Sequence, residues 1–495
     1  MNLYDTLDSS VLTRPGQYYL TDTKIVSYRS GTENSAPDKI DIGSLIAETN
    51  IFESIYSKSL SGNLFIIDTQ NIVGNLPLTG NERLEFKLYT PSSPFGYNFS
   101  EESGHPMYIY KITNRAATGP RQQGYTLHFC SKEMIDNETK SLRHASTSTY
   151  DFMVADIVKN PDHLGSNKQF FYEPSIGLHK HVFTRVKPFK GIEQISKNTV
   201  SSKFYNSGYY FYETSRGYNF KSLESMLAVE SNTARPAVAR FRPKVSNVND
   251  GKGEKDIKNE MQIAINYKIV DQFDQLKNLR NGVYASKLIT HDQFYKTTNI
   301  NDFSYEDEYE EMIHTETDRY GGKESTKGIL PSYVREGKTL SEYPDGTIYL
   351  LNNTSKTHGD IKDPNPNEIL QRRLSQRLAF TSLKLEITVN GFTGVQAGDV
   401  ITFEMPSYEP RVAGEQKDND RYLSGRYLVT SLRHMVNQAT KKHIMVLQCM
   451  KDSVRVSYPS EANDTFIDRE KKQEGIIDVY ELDDILLDNL SKSFK

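Results

Sequence analysis

The feature that most limits how this chain can fold is an internal repeat of one β pattern. Cys130 and Cys449 lie 319 residues apart, and so do Tyr108 and Tyr427. In that register Tyr108-Ile109-Tyr110 matches Tyr427-Leu428-Val429, and Leu127 matches Val446. Cys130-Ser131-Lys132-Glu133 then matches Cys449-Met450-Lys451-Asp452, with a loop of one length between. Upstream, Gly80-Asn81 leads into Leu84 and Phe86, and Gly398-Asp399 leads into Ile401 and Phe403. Both runs end on a Pro-Ser pair, Pro91-Ser92 and Pro406-Ser407. A duplicated β unit bears on symmetry, because three copies of such a chain present six similar domains in a ring.

The rest of the chain is read around those two blocks. At 495 residues it is too long for one compact core, and three or four domains are expected. Gly43 to about Glu133 gives strand after strand, with Leu64 to Asp68, Asn81 to Tyr89, Tyr108 to Ile112 and Tyr125 to Cys130 as the clearest runs. Period-two alternation between turn residues reads as antiparallel sheet. Near Ser148 the texture changes. Thr149 to Val158 has helical spacing and stops at Asn160-Pro161, Tyr209 to Tyr212 reads as a strand, and Ser222 to Val229 as a short helix. Residues 299–328 are crowded with acids and predict a mobile surface excursion. Glu368 to Leu378 carries the stripe Ile369, Leu370, Leu374 and Leu378, and a second all-β block follows from Ser382 to about Ser457.

These readings divide the chain into an N-terminal arm (1–17), a first tube β-barrel (18–139), an α+β domain (140–230) and a peripheral or inserted domain (231–363). The inserted domain holds the acidic loop and can contribute strands to the second barrel. A second tube β-barrel (364–458) and a tail with an amphipathic helix (459–495) complete it. The fold class is mainly β with α+β parts, built on two similar antiparallel barrels.

Charge and composition narrow the function. Lys plus Arg number 60 against 64 Asp plus Glu, a formal charge of −4, with no basic stripe of the kind that grips phosphates. No apolar run approaches the roughly 20 residues that span a bilayer, and the first residues lack a secretion pattern. The two cysteines sit in strand-like runs and read as small buried hydrophobes made in a reducing cytosol.

Three stretches resemble the central hub proteins of contractile-tailed phage baseplates, as in the T-even phages. Phe211-Tyr212-Glu213-Thr214 with Gly217 to Leu223 is similar to that family's strand–turn–helix. Asn281-Gly282-Val283-Tyr284-Ala285 resembles a strand opening of its peripheral domain. Arg426 to Arg433-His434, then Ile444 to Leu447, resembles the hairpin closing its second barrel. The chain departs from the best-known hubs by being longer, at 231–260, in the acidic stretch and beyond 459.

The resemblance implies a homotrimer whose two barrels per chain give pseudo-sixfold symmetry. The sixfold side would continue the tail tube protein, the threefold side would hold a trimeric spike protein, and wedge proteins would lie outside. Contact with the tape measure protein is left open. DNA would pass through without specific binding, and no membrane is involved. The protein would be made in the host bacterial cytoplasm and end in the virion, in the tail baseplate. The ring-wall hairpins would carry Tyr108, Tyr110, Cys130, Tyr427, Val429 and Cys449.

No enzymatic chemistry, cofactor or metal is expected. His179-Lys180-His181 lacks further ligands and suggests a surface or stacking role. The carboxylates from Glu306 to Glu311 lack the alternating oxygens and Gly of a calcium loop. Gly251-Lys252-Gly253 is too short for a phosphate loop. The rival reading is a tail-associated cell-wall-degrading or carbohydrate-acting β protein, against which the lack of Trp counts mildly. A receptor-binding tail protein is a third. In the tail, Ile476, Val479, Leu482, Ile485, Leu486 and Leu490 share one helical face, which can dock on a partner or pack back on its own chain.

Overall fold

A computed structural model of the chain describes residues 2–8, 10–27, 38–76, 78–230, 233–244, 257–292, 295–316, 327–328, 334–335, 337–352, 369–407, 419–420 and 422–454. Strands β1 (Tyr19–Ser27), β2 (Asp38–Asp41), β3 (Ile46–Ser54), β4 (Ser61–Asp68), β5 (Arg83–Tyr89), β6 (Gly96–Phe99), β7 (Met107–Gly119) and β8 (Gln122–Ser131) form the first barrel. Their order is β2-β1-β5-β7-β8-β4-β3, with β6 beside β5. Alternate residues such as Leu64 and Ile66 of β4 and Leu127 and Phe129 of β8 point inward to one core. Between β2 and β3 the sheet is not laddered, and Ile42 N–H donates to the Thr23 carbonyl there.

The α+β domain centres on β9 (Tyr209–Thr214) and β10 (Gly217–Ser222), packed on helices Tyr150–Lys159 and Pro188–Ser196. The helix expected at 149–158 is therefore found one residue later. Strands β11 (Ala239–Pro243) and β12 (Ile263–Asp271) leave this region for the second barrel. A small outer sheet then holds β13 (Ala285–Asp292), β14 (Thr297–Ser304) and β15 (Ile348–Asn352). Helix Leu370–Phe380 adds Leu378 and Ala379 to the core under it.

The second barrel adds β16 (Leu383–Asn390), β17 (Val400–Phe403), β18 (Gly425–Asn437) and β19 (Lys442–Lys451). Its ring closes on itself in the order β18-β17-β11-β12-β16-β19-β18. All its pairs are antiparallel except those of β11, which runs parallel to both β17 and β12. Tyr4, Leu7 and Leu12 of the N-terminal arm are buried in its core, where the Tyr4 ring lies 4.5 Å from that of Phe392.

The duplication is present, but its register differs from the one the cysteines suggest. β5-β7-β8-β4 and β17-β18-β19-β16 have the same strand order. A bulge between Ile109 and Lys111 in β7 recurs between Val429 and Ser431 in β18, a separation of 320 residues. Ile109 faces Phe129 where Val429 faces Cys449. The counterpart of Cys449 is therefore Phe129, and that of Cys130 is Met450. A slip of one residue turns every side chain to the other face, so the matching cysteines are a coincidence of spelling. The match of Leu84 with Ile401 stands, since these residues face Met107 and Tyr427.

The acidic stretch is also more ordered than expected. Residues 297–304 form β14, laddered along the whole of β13, and Tyr305–Glu308 makes a helical turn. Arg372 approaches the carboxylates of Glu308 (3.7 Å) and Glu311 (3.3 Å), and Glu316 is buried.

Candidate assembly interface

The two barrels share one sheet. The second half of β18 pairs antiparallel with β3 from Ser431–Ser54 to Asn437–Glu48. The first half of β18 uses that same edge for β17, and its other edge holds β19. The long strand is thus divided between two barrels, and Val436 is buried among the core residues of the first.

Side chains reinforce the joint. The Ser54 and Ser431 hydroxyls lie 2.7 Å apart, and Arg433 donates through Nε to Asn50 Oδ1 (2.9 Å) while its guanidinium stands 5.7 Å from the Phe52 ring. His434 meets Tyr97 edge to face at 5.2 Å, and its Nδ1 is 2.9 Å from Nε2 of His443. Burial pushes His443 down to about 3 and His434 well below the usual imidazole value, so the pair is neutral at physiological pH. Thr90 and Thr393 exchange backbone and hydroxyl hydrogen bonds across the same junction, each N–H donating at 3.2 Å.

Glu53 of β3 ties three domains together. Its Oε1 accepts from Tyr97 O–H (2.7 Å) and Ser215 N–H (3.0 Å), and its Oε2 from Ala397 N–H (3.2 Å). Burial raises its pKa to about 7 despite those three donors. The α+β domain is fixed to the first barrel by a second buried group. Lys168 Nζ lies 2.6 Å from carboxylate oxygens of both Glu133 and Glu213. Glu213 also accepts from Leu60 N–H (2.8 Å) and Ser131 O–H (2.7 Å). Burial raises Glu213, whereas the Lys168 ammonium outweighs burial at Glu133 and holds it below the usual range. Such fully bonded charges favour one arrangement of domains.

The residues singled out from sequence fall in different environments. Tyr108 pairs with Cys130, Tyr110 is exposed, and Tyr427, Val429 and Cys449 point into the second barrel's core. Burial pushes the Cys130 thiol up to about 12 and raises Cys449, so neither is a ready nucleophile. His179 stacks on Tyr150 at 3.7 Å. The tail residues Ile476, Val479, Leu482, Ile485, Leu486 and Leu490 lie outside the described residues. Among the described residues, His144, Asp156 and His163 bring possible metal-ligand atoms within 4.8 Å of one another. The two imidazoles are stacked at 5.0 Å and only 13° apart, so their in-plane lone pairs run side by side rather than converging. The β3–β18 joint had no sequence signal, since its partners are nearly 400 residues apart.

No protein-family model matches this sequence, and no curated protein does. Solved structures do match. The tail protein from Neisseria meningitidis MC58 aligns with a TM-score of 0.47 at 9% identity, covering 88% of this chain and 97% of that one. The 43 kDa tail protein of prophage MuSo2 from Shewanella oneidensis gives 0.45 at 11%, covering 86% and 98%. The solved structures it resembles are phage tail proteins. A third is the E. coli c3393 protein, titled a type VI secretion component structurally similar to T4 tail proteins gp27 and gp5. It gives 0.38 at 7%, covering 90% and 79%. Scores below 0.5 at such identities carry no functional weight, and the reading below rests on this chain's own residues.

Proposed function

We propose that this chain is a structural, non-enzymatic phage tail protein, the homotrimeric central hub of a baseplate. The observation that carries this is the pair of matched barrels joined edge to edge within one chain. Three such chains supply six near-equivalent barrels on one side and a threefold unit on the other, which suits an adapter between a sixfold tube and a threefold spike. Repeated heterologous joints close into a ring when the rotation per step divides the circle. A formal charge of −4 suits a bore through which DNA slides without being held. The partners are a second and third copy of the chain, a trimeric spike protein, a tail tube protein and wedge proteins.

Negative-stain microscopy of the purified chain tests this. Top views are expected to show rings of three copies with six similar inner lobes. Particles that stay monomeric even with a candidate spike protein would sink the hub reading. A lytic band in cell-wall zymography would overturn the non-enzymatic part.

A further inference from the structure

The barrel joint has two halves, and each barrel owns a copy of both. In the joint, β3 of the first barrel presents its edge to the second half of β18. The counterpart of β18 in the first barrel is β7, by the shared bulge and the 320-residue separation. The counterpart of β3 in the second barrel is β12. β3 lies beside β4 with a bulge between Ile46 and Glu48, and β12 lies beside β16 with a bulge between Ala264 and Asn266. The residues opposite those bulges, Ile66 and Val389, correspond in the two barrels.

Those counterpart edges are bare. Among the described residues, β7 pairs with β5 only at Met107 and Tyr108, and the edge of Lys111 to Ala117 away from β8 meets no strand. β12 pairs with β11 only at Ile263 and Ala264, and its edge from Lys268 to Asp271 away from β16 meets none. Val270 is 46% exposed, and Asn114 to Ala117 are exposed, whereas the equivalent stretch of β18 is alternately buried. Exposed edges of this kind are normally blocked or paired.

We infer that β12 of one copy adds antiparallel to β7 of the next, repeating between chains the joint that β3 and β18 make within a chain. The occupant is a second copy because the complementary edge exists on this chain and the internal joint supplies the template. Carrying the Arg433–Phe52 pair across places Thr113 opposite Val270 of the neighbour. The joint is head to tail, so it leaves no unpaired edge once the ring closes. This rests on the trimer proposed above and specifies the strands that close it.

Cysteine trapping in the full chain tests it. Thr113→Cys is combined in turn with Ile269→Cys, Val270→Cys and Asp271→Cys, because the nearby bulges allow a one-residue shift. The native thiols are buried, which keeps the background low. Oxidation is expected to give a reducible product of three chain masses, with the 113/270 pair at least five-fold above a Thr113→Cys, Phe152→Cys control. Amides at 111–117 and 268–271 are expected to exchange at least ten-fold more slowly in the assembled protein than in a dilute monomer. A trimer by mass photometry that yields no cross-link from any of the three pairs overturns the edge pairing and leaves the trimer intact. Folded monomers at every concentration overturn both.

Discussion

The hairpins β7–β8 and β18–β19 are the same object in two settings. In the second barrel the far half of β18 lies under β3, and Leu432, His434 and Val436 are buried. In the first barrel the matching half of β7 stands clear of any described strand and reads Ile112, Asn114 and Ala116. Composition has followed environment. Where the neighbouring barrel covers the strand, its inward positions are large, and where no described strand covers it they are small or polar. The difference also appears in backbone regularity: β18 carries one bulge against β19, while β7 carries three against β8.

Substitutions at matched positions break this comparison most sharply. Val436→Asp places a charge in the first barrel's core and is expected to cost about 4 kcal/mol or more. Ala116→Asp near the tip of β7 is expected to stay within about 0.5 kcal/mol for the isolated chain. Chemical denaturation of the two variants under one condition decides it. A second pair follows from the glycines before β5 and β17. Both have positive φ, +100° at Gly80 and +88° at Gly398. A Cβ at Gly398 would strike the Tyr212 hydroxyl, whereas at Gly80 the nearest atom is 3.8 Å away. Gly398→Ala should therefore cost about 3 kcal/mol and Gly80→Ala about 1, measured as a difference in urea midpoint.

The joint also predicts opposite pH behaviour at its covered and bare ends. Burial raises Glu53 to about 7, so the native state holds a proton that the unfolded chain releases near the ordinary value of 4.5. Its contribution is complete below about 4.5 and is lost as pH rises through about 7, on the order of 1–3 kcal/mol. Glu53→Gln should flatten that slope between pH 5 and 8, at a cost near 1 kcal/mol where an amide faces Ala397 N–H. At the matching end of β12, Asp271 is half exposed and held low by its hydrogen bond to Lys384 (2.6 Å). Its small contribution is present above 3.8 and is lost as pH falls, so Asp271→Asn should leave the slope from pH 5 to 8 unchanged. The mildest test is Arg433→Ala, expected to cost about 1 kcal/mol. Its ion pair with Glu48 at 3.6 Å is largely solvated, and the loss comes from the contacts with Asn50 and Phe52.

Much of this was legible in the residues. The strand runs at 64–68, 81–89, 108–112 and 125–130, and the helices near 150 and 370, all lie within observed elements or a residue or two from them. Hydrophobic periodicity reports such local choices directly. The repeat was legible as well, but its register was not. Gly425 to Thr430 is buried at every position, so the alternation that would have fixed the face is erased, and two cysteines offered a false anchor. Nothing local announced that β11 and β12 leave the expected inserted region to close the second barrel. The Lys168 group and the Glu53 hub were invisible for the same reason, since buried charges are recognised by partners far away in sequence.

One consequence concerns the order in which the protein is made. Tyr4, Leu7 and Leu12 are among the earliest residues to leave the ribosome, yet the core they enter is formed by β16 to β19, among the last. During synthesis the arm must wait, and β3 has no lasting partner until residue 437 has emerged. Bringing such distant segments together is slow, and an unpaired edge is exposed meanwhile. Bulky fusions at the front of the chain should therefore harm the barrel encoded at its far end.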